Sequence, residues 1–173
     1  VDAGCEIGSN SYSDDSLKDQ DREAVREQIT KGTDAIKSAT GVKTMLLRAP
    51  YAAFDEQNWI DAMDLVSAVV SWNIDSGDWL LNGADEQVST VLDSVTPGNI
   101  VLLTDRDECA EQMLEALPQI IDGLIADGYK IVTLSDLVKT DTSLSKKLTS
   151  LTKVTMPKDA VFPQLAEDED TTE

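Results

Sequence analysis

Two periods of apolar residues take turns along the chain. From Asp21 to Ser38, Ala24, Val25, Ile29, Ala35 and Ile36 recur at helical spacing, and Gly41 supplies a stop signal. Val42 to Leu47, "VKTMLL", is a short apolar run that predicts a strand and ends in "RAPY". Asp55 to Ser67 predicts a helix whose buried stripe is Trp59, Ile60, Met63, Leu65 and Val66. "AVVSWNID" follows as one strand, then the loop "SGDWLLNG". Ala84 to Ser94 reads as a helix closed by the turn Thr96-Pro97-Gly98. "NIVLLTD" is short and apolar enough for a buried strand. A helix from about Cys109 to Asp127 carries Met113, Leu114, Leu117, Ile120, Ile121, Leu124 and Ile125. Pro118 inside it implies a kink or a fresh helix start. Gly128 ends that helix, and "YKIVTLSDL" returns as a strand.

Strand and helix alternate, so the chain is α/β with mostly parallel strands. In such folds chemistry gathers at the carboxyl ends of the strands. Here those ends read Ser9-Asn10, Arg48-Ala49-Pro50-Tyr51, Asp75-Ser76-Gly77-Asp78-Trp79 and Thr104-Asp105. Beyond residue 138 the character changes. Residues 139–173 are expected to form a Thr/Ser/Lys-rich appendage, with one short helix around Ser143 to Leu151 and a disordered acidic tail at Glu167 to Asp170.

At 173 residues the chain is one ordinary domain, 41% of it hydrophobic, with no apolar run long enough to cross a membrane. Its net charge of −19 repels phosphate backbones, which argues against nucleic acid as a partner. Cys5 and Cys109 set no disulfide framework. Both read as small buried hydrophobes, and a bridge between them is open only if their Cα atoms come within range. There is no histidine.

Taken in order, the strand ends resemble one family, the NodB-type polysaccharide deacetylases of carbohydrate esterase family 4. "GCEIGSNSYSD" resembles their Gly-His-Glu-Ile-Gly-Asn-His-Thr-Tyr-Ser-His motif, and "LLRAPY" their Arg-Pro-Pro-Tyr motif. "WNIDSGDW" is similar to Asp-x-x-Asp-Trp, and "IVLLTD" to the Leu-x-His-Asp strand. The stretch "ALPQIIDGLIADGYKIVTLSDL" resembles the closing helix and strand. The resemblance runs over residues 1–138 and begins after the family's Thr-Phe-Asp-Asp-Gly motif. It implies a distorted (β/α) barrel that here lacks its first strands. With no initiator Met, the chain is expected to be a piece of a longer protein, and the family resemblance implies a bacterial one. Export to the cell surface or beyond is implied by the family alone, since Val1-Asp2-Ala3-Gly4 opens no signal peptide.

In that family an Asp and two His hold a divalent metal, commonly zinc, which polarises an acetamide carbonyl and activates water. A second Asp is the base, held by the motif Arg, and a His protonates the leaving amine. Carried over by the motifs, the two metal-binding His positions fall on Asn10 and Asp14, and the acid His position on Thr104. Arg48 matches the base-holding Arg, Asp75 the Asp that tunes the acid, Leu102 and Trp79 the acetyl pocket, and Pro50 and Tyr51 the groove wall. Thr104 does not titrate near neutral pH. Oxygen ligands at Asn10 and Asp14 would favour magnesium, calcium or manganese over zinc. The expectation is a degenerate deacetylase domain with no resident cofactor, binding N-acetylated glycan of a peptidoglycan or chitin-like kind. A hydrolase with an oxygen-ligated metal and a purely structural surface domain are the alternatives.

Blander roles stand beside each residue. Asn10 and Asp14 suit capping of the following helix or turn. Arg48 suits an ion pair with Asp75 or Asp105. Tyr51 and Trp79 suit core covers as well as sugar stacking, Trp72 suits the core, and Asp78 suits a turn.

Overall fold

The computed structural model describes residues 1–140. Helix α1, Arg22–Thr40, begins where the Asp21 carboxylate accepts the Ala24 N–H at 2.9 Å. It ends at Gly41, whose φ of 74° a side chain would disfavour. Two strand pairs follow, both parallel: β1, Leu46–Leu47, with β2, Ala68–Val69, and β3, Ile74–Asp75, with β4, Val101–Leu102. Helix α2, Glu56–Ala62, crosses from β1 to β2, and α3, Ala84–Ser94, crosses from β3 to β4. Both are the crossovers that parallel pairing demands. Ser9 adds a parallel bridge to Leu47 on the free edge of β1, so the segment before α1 joins the first pair as a further strand end.

Each pair has its own core. Leu17, Val25, Ile29, Leu47, Ala62 and Val66 fill the first, and Ile74, Ala84, Val91, Ala116, Ile120 and Leu124 the second. Side chains as completely buried as Leu17 and Leu47 contribute about 1.5–3 kcal/mol each. Helix α4, Asp107–Ala126, packs on α3 in the second core. The last helix, α5, spans Leu134–Thr140. Its start is tied to the far end of the chain, because the Ser135 N–H donates to the Glu6 carboxylate at 2.9 Å.

Several expectations need correction. "AVVSWNID" is not one strand but two, in different sheets. Asn73 turns away to accept the Ile100 N–H at 2.7 Å, which starts the second pair. β4 is half-buried rather than buried, since a two-stranded sheet covers little of its own surface. "YKIVTLSDL" carries no strand: Thr133 Oγ1 accepts the Asp136 N–H at 3.2 Å and opens α5 instead. The second helix is shorter than Asp55 to Ser67, and Ile60 and Met63 lie exposed. Pro118 starts no new helix; α4 runs through it. The expected short helix at Ser143 to Leu151 and the acidic tail lie outside the described residues. Among the described residues no helix is long and apolar enough to cross a membrane.

Candidate functional site

The site is built from two sets of strand ends. Asn10, Asp14, Arg48, Pro50 and Tyr51 follow the first sheet; Asp75, Trp79, Leu102 and Thr104 follow the second. Arg48 is fixed by its own backbone, whose N–H donates to the Ser9 carbonyl at 2.8 Å. Its guanidinium lies 5.8 Å from the centre of the Trp72 ring. Burial pulls its pKa below the ordinary value, opposed by Asp14 and Asp105 and reinforced by Arg106. Among the described residues it forms no ion pair with Asp75 or Asp105, contrary to one expectation. Arg48 and Asn10 share a cavity of about 690 Å³ with Ser9, Leu47, Val70 and Val132. Tyr51, Trp79, Leu102 and Thr104 do not line it.

Asn10 and Asp14 cap no helix, since α1 takes its cap from Asp21. They bond to one another: Asn10 Nδ2 donates to Asp14 Oδ1 at 2.8 Å, and Asp14 stands in the left-handed region at φ 61°. The other carboxylate oxygen of Asp14 takes the Arg106 guanidinium, from a residue 92 positions away. Arg106 also lies over the Tyr51 ring, 5.8 Å from its centre. Its pKa is raised, first by its interaction with the Tyr51 side chain and then by the charge of Asp14. Tyr51 itself is exposed, in a 3-10 turn over Pro50–Ala52 at φ 54°, while Pro50 is buried.

In the second set, Asp75 accepts the Trp79 indole N–H at 3.1 Å and the Gly77 N–H at 3.0 Å. It therefore orients the Trp79 ring and gives the Thr104 position no hydrogen bond. The backbone of Thr104 is held instead by Asp78, fully buried, whose carboxylate accepts the Thr104 N–H. Asp78 is the turn residue expected, opening the 3-10 turn Asp78–Leu80, but that reading missed its burial and its bond to Thr104, although it is the second Asp of the Asp-x-x-Asp-Trp stretch. Leu102 pairs with Asp75 across the sheet and is half-buried. Trp72 lies between β2 and β3 and is half-buried, not a core residue of a strand.

The donors present fit a divalent cation poorly. Both oxygens of Asp14 are engaged, one of them by a positive charge, and Asn10 Oδ1, buried and unpartnered, is the only free oxygen of the two residues. Among the described residues no three Asp, Glu, Cys or His side chains converge as a ligand set. The cysteines are both free thiols, so no bridge joins them. Cys5 is exposed, contrary to expectation, because it precedes the Ser9 bridge and touches neither core. Cys109 is buried, which raises its pKa.

A family model described as polysaccharide deacetylase matches residues 1–66. The bifunctional xylanase/deacetylase of Pseudobutyrivibrio xylanivorans is 34% identical over 138 residues, covering 79% of this chain and 22% of that protein. The chitooligosaccharide deacetylase of Azorhizobium caulinodans is 30% identical over 145 residues, covering 76% of this chain and 68% of that protein. A solved structure, the wild-type carbohydrate esterase family 4 pseudoenzyme from Bacillus anthracis, matches with a TM-score of 0.71 at 28% identity, covering 80% of this chain and 48% of that one. The chain spans well under half the length of the first of these relatives and about half of the solved structure. With the parallel strand ends in family order, the chain belongs to the polysaccharide deacetylases and has the α/β fold of their distorted NodB-type barrel.

Proposed function

We propose that this domain binds N-acetylated glycan of a chitin or peptidoglycan kind without deacetylating it. One observation carries the reading: the Asp14 carboxylate, at a position where the family keeps a metal ligand, is already bonded on one side by Asn10 and on the other by Arg106. Proton transfer is impaired as well. Thr104 stands where the family's acid His stands, and a hydroxyl cannot supply a proton near neutral pH. What persists are side chains that suit sugars: an exposed Tyr51, a Trp79 ring held by Asp75, and Leu102 opposite Asp75 on β4. A solved relative is described as a pseudoenzyme, which makes loss of activity within this fold a precedent. The same reading assigns the domain to the cell surface or beyond, and no cofactor to its resting state.

The test is a pair of assays on the full-length protein with N-acetylglucosamine oligomers. The expected outcome is no acetate release with zinc, manganese, magnesium or chelator, together with saturable binding that weakens on Trp79→Ala or Tyr51→Ala. Metal-dependent acetate release lost on Asp14→Ala would instead establish the oxygen-ligated hydrolase. Neither release nor binding would leave the structural domain.

A further inference from the structure

We infer that Arg106 is a built-in cation that stands in for the family's metal at Asp14 and assembles this side of the groove without an ion. Three strand-end segments meet on its side chain. Arg106 itself is the residue before the first turn of α4. Its guanidinium takes Asp14 from the loop after Ser9 and covers Tyr51 from the turn after β1. A metal held between two ligand residues would tie loops together in the same way. Here the positive charge is covalently part of the chain.

Among the described residues, charge and donor count both favour the guanidinium over an ion. A divalent cation approaching Asp14 would have to displace Arg106, and it would meet the positive charge of Arg48, which Arg106 and Asp14 both influence. In exchange it would gain, from the described residues, one carboxylate and the Asn10 carbonyl oxygen, a poor replacement for the lost Arg106 ion pair. A planar guanidinium needs less: one face lies on an aromatic ring and one edge meets a carboxylate oxygen. The unusual backbone agrees. Asp14 and Tyr51 both stand at positive φ without being glycine, a strain that persists only where contacts hold it, and Arg106 is the contact common to both.

The inference rests on the match of Asn10 and Asp14 to the family's metal positions, and on no property of the glycan. Two measurements on the full-length protein test it. Equilibrium dialysis against zinc and against manganese is expected to show no stoichiometric ion, with wild type and Asp14→Asn alike. One equivalent bound by wild type and lost in Asp14→Asn overturns the inference. Amide hydrogen exchange is the second readout. Arg106→Gln is expected to speed exchange in residues 11–17 and 51–54 by roughly two- to fivefold, the range an exposed ion pair supports. Arg106→Lys, which keeps the charge, should restore part of the protection, and Arg26→Gln, an ion pair elsewhere, should leave both segments unchanged. Unchanged exchange in Arg106→Gln, or no rescue by lysine, overturns the inference. Neither readout uses sugar, so a failure of glycan binding sinks the proposed function alone.

Discussion

Gly32, midway along α1, lies against the backbone of Ser11 so closely that a Cβ built on it would stand 2.3 Å from the Ser11 carbonyl oxygen and 2.8 Å from Ser9 Oγ. The helix is thus the floor on which the loop carrying Asn10 and Asp14 rests. The obstacle is backbone, which cannot rotate away.

Gly32→Ala is therefore expected to destabilise the domain. Alanine gains about 0.8–1 kcal/mol of helix propensity, but overpacking of this kind costs about 1–3 kcal/mol, and a rigid carbonyl puts it at the upper end. Gly123 on α4 is the control. A Cβ there would meet the Leu92 side chain, Cδ1 at 2.6 Å, and a leucine methyl can turn aside. Urea denaturation should show a lower midpoint for Gly32→Ala and little change for Gly123→Ala. Equal loss in both would mean that the approach of α1 to Ser11 is not what forbids a side chain.

Asp78 is expected to matter more than Asp75 for the position of Thr104. It is fully buried, it accepts the Thr104 N–H, and its other oxygen has no partner among the described residues. Asp78→Ala leaves a half-buried backbone donor without its acceptor, at a cost of about 1 kcal/mol or more. Asp78→Asn keeps an acceptor oxygen at the same place and should cost less. Thermal melts of the two variants decide the matter, with alanine expected well below asparagine. If the two melt together, the Thr104 bond is not the basis of the effect.

The borders of α1 and α3 were legible in the sequence because periodicity, Gly41 and the Thr96-Pro97-Gly98 turn are local signals. So was the order of the strand ends. What escaped was non-local. Nothing within "YKIVTLSDL" says that Glu6, 129 residues earlier, will hold Ser135 and favour a helix there. Arg106 attracted no notice beside "LLTD" because its partners, Asp14 and Tyr51, come from distant turns. Asp78 read as a turn residue because burial is a tertiary property. The Thr133-x-x-Asp136 spacing was a readable cap signal, masked by the apolar residues around it.

The two thiols should behave oppositely toward a thiol reagent. Cys5 is exposed and free. Cys109 is buried on α4, and burial raises its pKa with the neighbouring charge of Asp78 adding to the effect, so its thiolate is scarce as well as hidden. The native protein is expected to react with one equivalent of reagent quickly and with the second only on unfolding. Two fast equivalents in the native state would mean that the start of α4 opens readily.

Acid should loosen the contact between α1 and α2 over a defined window. Arg26 holds Asp64 through two hydrogen bonds, of 2.5 and 2.8 Å, and donates to the Asp61 carbonyl at 2.8 Å. The guanidinium lowers the Asp64 pKa from 3.8 to about 2. A carboxylate depressed in the folded state binds its proton later than it does in the unfolded chain. Its stabilisation is therefore complete above about pH 4–5 and is lost as the pH falls through about 4 toward 2. Arg26→Met removes the partner. The stability gap between wild type and Arg26→Met should thus be constant near neutral pH and narrow below pH 4, to what the Asp61 carbonyl bond alone contributes. Added salt should narrow it at neutral pH too, because Asp64 is exposed and the pair is screened. Urea melts of both proteins in buffers spanning that range provide the measurement. A gap that stays constant down to pH 2 would show that Arg26 works through packing and the Asp61 carbonyl, and that the Asp64 charge contributes nothing to holding α1 on α2.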